Sequence, residues 1–432
     1  MVEGGDIQTP PGTSARRSLP LSSAWAQRLP AYALFAALLS AAGLPIYIHA
    51  PKFYVDEYSV SLAALGAVLF GLRLLDVVQD PLLGRLSEKL RHQRGKAVAI
   101  GAGIMAAAMI GLFAVQPPVH PLIWFGAMLT LVFSGFSFLT ICFYAQGVAK
   151  ADAMRGKGHL LLARWRETGA LLGVCVASVA PVALGVVMGA PFAGFAIGFM
   201  VLAAASVLAM KSEWKDTGLP ASTGFGTILS DPLARKLLLI ALVNAAPVAV
   251  SSTLFLFYVE IALEAPGWEG PLLLLFFLSA AGAAPFWGML AERFGGKPVL
   301  LCAMVLGILA FGGALFLGPG DQWLFAVVCL ASGAVLGADL TLLPAMFATR
   351  MAKISPSAAE GFGLWSFVSK FTLALAAVAL LPLLESTGLQ TGSQESPPEA
   401  VRLLILLYAG VPCALKLIAI VLLSSIKGME DA

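Results

Sequence analysis

The chain has 432 residues, of which 59% are hydrophobic and only 12% charged, with a mean hydropathy of +0.89. An ordinary soluble domain carries about 25% charged residues, so this composition excludes a soluble globular domain and marks an integral membrane protein. The formal net charge of +3 comes from bases at the ends of apolar runs and carries no implication of nucleic-acid binding.

Residues 1–30 contain Arg16 and Arg17 but no apolar core of signal-peptide length, and read as a disordered cytoplasmic tail. Segments long enough to cross about 30 Å of hydrocarbon, roughly 20 residues each, follow at 31–49, 62–87, 97–115, 122–149, 160–189 and 191–210. Residues 211–236 are polar and rich in Gly, Ser and Thr, which makes them the expected cytoplasmic linker. A second set spans 237–263, 271–291, 299–317, 324–349, 362–384 and 403–425, before a cytoplasmic tail over 426–432. The predicted fold class is an all-α membrane protein of twelve transmembrane helices in two six-helix bundles, 31–210 and 237–425. With both termini cytoplasmic, 22 of the 27 basic residues fall in cytoplasmic loops and tails, as short loops of that side require. Lys52 and Arg402 then lie outside, and Arg73, Lys370 and Lys416 within spans. All five cysteines also fall within spans, so no disulfide framework is expected.

The second span contains the costliest residues of the chain, in Arg73-Leu-Leu-Asp76-Val-Val-Gln-Asp80-Pro81. Charged side chains at membrane depth face a cavity or a partner and mark ion or substrate pathways. Spacing of i, i+3, i+7 puts Arg73, Asp76 and Asp80 on one helix face, where two carboxylates cannot cheaply both stay ionised without a cation. A sodium ion would resolve that conflict, with oxygen ligands from Ser137 and Thr140 in the fourth span; alternatively one aspartate carries a proton. An internal Arg73–Asp76 ion pair is the structural alternative, and it leaves Asp80 unexplained. An internal repeat sharpens the contrast. The motif Asp80-Pro81-Leu-Leu-Gly84-Arg-Leu-Ser-Glu88-Lys89 returns as Ala284-Pro285-Phe-Trp-Gly288-Met-Leu-Ala-Glu292-Arg293. The second copy keeps the loop elements and lacks the buried charges. Glu88, Glu292 and Arg293, with Arg166 and Glu167 at the start of the fifth span, are expected to hold the cytoplasmic face closed as a gate.

Two six-helix repeats with this glycine, acid and base resemble the major facilitator superfamily. Within it, Arg73-x-x-Asp76-x-x-x-Asp80-Pro81-x-x-Gly84 resembles the second-helix signature of the melibiose permease-like family, the glycoside-pentoside-hexuronide:cation symporters. The resemblance implies that Asp76 and Asp80 bind the coupling sodium or proton, that Ser137 stands at the family's cation-binding hydroxyl, that Tyr144 stands at its sugar-stacking aromatic, and that Lys370 is its helix-eleven lysine. It also implies a bacterial inner-membrane location. The chain departs from sugar-binding members by having no acid in 31–49 and Thr140 where they carry a carboxylate. The remaining pocket of Tyr47, His49, Thr140, Tyr144, Gln146, Asn244 and Trp365 suits an amphipathic or apolar cargo better than a sugar. Asp339 is expected either to pair with Lys370 or to contact cargo. No zinc-protease, nucleophile-elbow or ATP-binding motif is present. The expected function is cation-coupled symport of a small organic or amphipathic solute by a monomer in the bilayer, with no cofactor beyond Na+ or H+ and no nucleic-acid partner. Proton-coupled efflux, lysolipid transport, or a nontransporting receptor or scramblase on the same helices are the alternatives.

Overall fold

The structure is a computed structural model describing residues 28–154, 158–214, 224–385 and 397–426, and among them every regular element is helical. The first predicted span is two helices, α1 (Leu29–Ala41) and α2 (Leu44–Tyr58). The sequence supplies the break: Gly43 interrupts the helix, and Pro45 sits in the first turn of α2, where its missing N–H leaves no bond unmade. The chain continues through α3 (Leu62–Lys89), α4 (Arg94–Phe113), α5 (Pro121–Ala153), α6 (Gly158–Gly185) and α7 (Pro191–Met210).

The polar stretch expected to be a linker is partly helical. It contains the short α8 (Gly224–Ser230) and the first turn of α9 (Pro232–Phe257), which Asp231 caps by accepting from the Ala234 N–H at 2.7 Å. The rest are α10 (Glu269–Phe294), α11 (Gly296–Gly312), α12 (Gln322–Ile354), α13 (Ala359–Glu385), α14 (Pro398–Ile405) and α15 (Val411–Ser424). A π-helical turn over Leu406–Gly410 joins α14 to α15, and another over Tyr258–Ala262 extends α9. The two turns meet through stacked Tyr258 and Tyr408, with ring centroids 4.0 Å apart.

Nine helical stretches among the described residues are long and apolar enough to cross a membrane, which makes this a multi-pass integral membrane protein. The helices carrying the charged cluster, α3 and α13, are as long, at 28 and 27 residues. Apolar side chains face both ways: Val176 and Leu309 are 68% and 71% exposed, whereas Phe35, Phe125 and Leu300 are fully buried. Hydrocarbon outside the bundle removes the hydrophobic drive for helix association, so close contact relies on small residues. On α6, Gly169 and Gly173 lie against the α1 backbone, where a Cβ would collide with the Ala33 and Ala37 carbonyl oxygens.

Most buried apolar residues before 215 share a core from Leu29 to Trp214, and those after 223 cluster around α9 and α12, where Val148, Leu160 and Ala163 join them. These two halves cross at α3 against α13 and at α6 against α10. The repeated motif glycine occupies each crossing. A Cβ on Gly84 would stand 3.2 Å from the Ala359 carbonyl oxygen and 3.3 Å from the Gly363 Cα, and one on Gly288 would stand 3.0 Å from the Arg164 side chain. Both glycines lie toward the end of the bundle that carries Arg85, Arg91 and Arg94, called the basic end below.

Candidate functional site

Asp76 and Asp80 lie one turn apart on α3 and are 3% and 0% exposed. Lys370 of α13 reaches them from the other half, with Nζ 3.4 Å from Asp76 Oδ2 and 3.2 Å from each oxygen of Asp80. The same ammonium donates to Ser137 Oγ on α5 and stands 5.8 Å from the centre of the Phe136 ring. Ser366, one turn before Lys370, donates its hydroxyl to Asp80 Oδ2. Gln79 donates to Asp76 Oδ1 at 2.7 Å and accepts from Ser134 at 2.9 Å. Thr140, one turn beyond Ser137, has a buried hydroxyl with no hydrogen-bond partner among the described residues. Arg73 is half-buried on α3, and an internal pair with it is not needed to account for Asp76, which engages Lys370. Two buried carboxylates thus share the ammonium of Lys370, in surroundings where an unbalanced charge is costly.

A second polar group lies beside it. The Arg166 guanidinium sits 3.8 Å from the centre of the Tyr144 ring and donates through Nε to Glu167 Oε1 at 2.7 Å. Tyr144 donates its hydroxyl to that same oxygen at 3.1 Å, and Phe362 of the other half packs 4.9 Å from its ring. Sequence alone assigns Arg166 and Glu167 to a gate with Glu88, Glu292 and Arg293. In the structure Arg166 and Glu167 belong to this buried group, and Arg164 pairs with Glu292 across the halves at the basic end, at 3.4 Å. Glu88 meets Arg91 at 3.5 Å on its own side of the crossing, and Arg293 lies 5.2 Å over the Phe294 ring.

Three of the expected site residues have their partners away from the ion cluster. Asp339 pairs neither with Lys370 nor across the halves: it meets Lys416 of α15, which also donates to Asn244 at 2.7 Å. Lys370 is drawn to the two acids of α3, and Asp339 takes Lys416, the buried base of α15, with Asn244 of α9 beside them. Gln146 accepts from Arg94 at 3.3 Å and donates to the Glu213 carbonyl at 2.6 Å, while Lys150 holds the Glu213 carboxylate at 2.8 Å. Gln146 thus fastens the end of α7 to α4 and α5. Trp365 packs 5.0 Å from Phe347, beside the site. The side chain of Tyr47 lies outside the described residues. Arg164, Ser366 and Lys416 are the functional candidates that sequence reasoning passes over; the pairing of Lys416 with Asp339 was open to the rule that buried charges find partners.

The family model described as MFS/sugar transport protein matches residues 30–427. Among solved structures, the crystal structure of a bacterial homologue of the iron transporter ferroportin in an outward-facing state is similar, with a TM-score of 0.69 at 15% identity, covering 92% of this chain and 98% of that one. At that identity the likeness is one of fold. Comparison with curated proteins found no match.

Proposed function

We propose, from the premise that the chain belongs to the MFS/sugar transport protein family of membrane transporters, that it is a secondary transporter coupling passage of a small organic solute to a sodium ion or proton at Asp76 and Asp80. One observation carries the reading: two buried carboxylates of one half are held by an ammonium and a hydroxyl of the other. Parting the halves at α3 and α13 withdraws Lys370 and breaks its contacts with Asp76 and Asp80, and breaking a buried ion pair is strongly unfavourable. A cation or proton that takes the place of Lys370 removes that penalty. Ion occupancy and opening of the crossing are thereby linked, as alternating access around a mid-membrane site requires. Sodium would draw on the carboxylate oxygens with the hydroxyls of Ser137 and Thr140.

The signature from Arg73 to Gly84 supports placement among the glycoside-pentoside-hexuronide:cation symporters, in a bacterial inner membrane with both termini cytoplasmic, and symport is the preferred direction. The cargo differs from a sugar. Around the ion cluster lie Thr140, Tyr144, Phe362, Trp365 and the Arg166–Glu167 pair, without the two acids that clasp sugar hydroxyls in sugar-binding members. A sugar entering here loses hydration and recovers few hydrogen bonds. An aromatic or amphipathic solute suits these walls.

Thermal midpoints of the purified protein, measured against sugars, lysolipids and organic acids with and without sodium at constant ionic strength and across pH, test both parts, because a ligand of the folded state raises its stability. Stabilisation by an amphipathic solute that depends on sodium or pH is expected. Indifference to both ions overturns the coupling reading. Tight, sodium-dependent binding of an unmodified disaccharide, weakened by Thr140→Ala, overturns the cargo reading.

A further inference from the structure

The polar stretch between the halves carries an aromatic ring to the basic end of the first half, and the transport reading leaves that contact unused. The short helix α8 is mounted on the second half, where it touches α9 and α13. Its Ile228 is fully buried in the core around α9 and α12. At the corner where α8 passes into α9, the Asp231 N–H donates to the Thr227 carbonyl at 3.2 Å, and both carboxylate oxygens of Asp231 accept from Arg350 of α12, with Nε 3.0 Å from Oδ1. A bidentate arginine–carboxylate pair fixes direction as well as distance. The corner therefore turns with α9 and α12 as one body.

From this mount Phe225 reaches the other half. The Arg85 guanidinium of α3 lies 4.8 Å from the centre of the Phe225 ring, inside the roughly 6 Å over which a cation is attracted to an aromatic face. Arg85 follows Gly84, the residue at which α3 presses on α13. It is exposed and Phe225 is half-buried, so the contact lies at the rim of the crossing. Neighbouring bases at this end meet polar groups: Arg91 meets Glu88, Arg94 meets Gln146 and Arg164 meets Glu292. Arg85 meets a ring carried by the opposite half.

We propose that α8 is a clasp on the basic end: Phe225, carried by the second half, holds Arg85 of the first while this end is closed, and the contact breaks when α3 and α13 part. The clasp rests on the alternating-access reading, because it acts only where the halves move against each other. Its direction follows from the two mounts. Arg85 moves with α3 and Phe225 with α9 and α12, so opening separates them and closing restores their attraction. The Arg164–Glu292 pair does the same at the other crossing, which gives each crossing one contact that favours closure.

The test measures distances between spin labels at Lys96→Cys and Lys353→Cys, on α4 and α12, in the full-length protein with its native cysteines replaced. Phe225→Leu, which keeps an apolar side chain and removes the ring, is expected to raise the ratio of long- to short-distance populations about two- to fivefold. Arg85→Gln should raise it equally, and the double variant no further than either alone, because both remove one interaction. Phe225→Tyr retains a ring and should keep the parent ratio. If Phe225 only packs, the effect of Phe225→Leu adds in full to that of Arg85→Gln; such additivity, or an unchanged ratio in either single variant, overturns the clasp alone. A single fixed distance in the parent and every variant, with and without sodium and across pH, overturns the clasp together with the alternating-access reading.

Discussion

The two crossings between the halves share a plan and differ in one layer. At each, a motif glycine lets a helix of one half press against the other half, and at each a base follows the same spacing: Asp80 and Ala284 stand 204 positions apart, as do Arg166 and Lys370. What those bases meet is different. On α3 the facing positions are Asp76 and Asp80, and Lys370 bridges the halves to reach them. On α10 the corresponding positions are Ala280 and Ala284, both fully buried, and Leu171 closes against them. Arg166, offered no acid across the crossing, turns to Glu167 and Tyr144 in its own half. The close packing is common scaffold; paired carboxylates buried at the centre of a crossing occur at α3 and α13, where the α10 crossing has alanines.

The comparison breaks most visibly if the acids are neutralised. Asp76→Asn or Asp80→Asn is expected to reduce ion-driven accumulation in proteoliposomes to the level of empty vesicles while the protein still folds, and Ala280→Asp on the other crossing should restore nothing. Normal accumulation in both single Asn variants would return the pair to a structural role.

The next effect is on stability. Lys370→Ala leaves Asp76 and Asp80 buried without their cation, and removal of one partner of a buried ion pair costs about 3–5 kcal/mol. Combining it with Asp80→Asn should recover part of that loss, because less charge is left unbalanced. Thermal midpoints of the three proteins decide it. A Lys370→Ala protein as stable as its parent would mean that the bridge carries no weight.

How much of this was legible in the sequence depends on whether a residue's meaning is set by its own surroundings or by a distant helix. Asp76, Asp80 and Lys370 stood out because a charge within an apolar run is costly wherever the run packs, and Ser137 followed from the fourth-span polar interruption. The partners of Gln146 and Asn244 were not legible, since a lone amide reveals polarity and not its partner; their neighbours, Arg94 with Glu213 and Lys416, come from other elements. Arg164 was hidden next to Arg166, and only helix rotation determines which of the two faces Glu292. The helices themselves were legible from length and hydropathy, apart from the break at Gly43 and the extra turns before Leu237, where local glycine, proline and capping chemistry overrode the apolar pattern.

The glycines sharpen the comparison at smaller scale. Gly84→Ala drives a Cβ against the backbone of Ala359 and Gly363, which cannot rotate away, whereas Gly288→Ala meets a side chain, Arg164. Overpacking typically costs about 1–3 kcal/mol. The α3 substitution should fall toward the upper end and the α10 substitution toward the lower, with the Arg164–Glu292 pair weakened as its side chain shifts. A thermal midpoint lowered more by Gly288→Ala than by Gly84→Ala would reverse the assignment of which crossing is backbone-tight.

The smallest effect concerns the ion pair that crosses the halves at the basic end. Arg164 and Glu292 are 14% and 26% exposed in their side chains and 3.4 Å apart, so their attraction is partly screened and worth about 0.2–1 kcal/mol. Glu292→Gln should hardly alter the melting temperature. Because the pair joins one half to the other, its loss acts on the balance between closed and open basic ends, where that energy changes an equilibrium by about 1.4- to 5-fold. Spin labels at Lys96→Cys and Lys353→Cys, both exposed positions on α4 and α12, would report it as a larger long-distance population in a protein whose native cysteines are replaced. Arg164→Gln should produce the same shift, and the double variant no more than either alone, since both remove one interaction. If Glu292→Gln leaves the distances unchanged while Glu88→Gln widens them, closure of the basic end belongs to the α3 crossing, and both the ionisable chemistry and the latch then sit on the same side of the molecule.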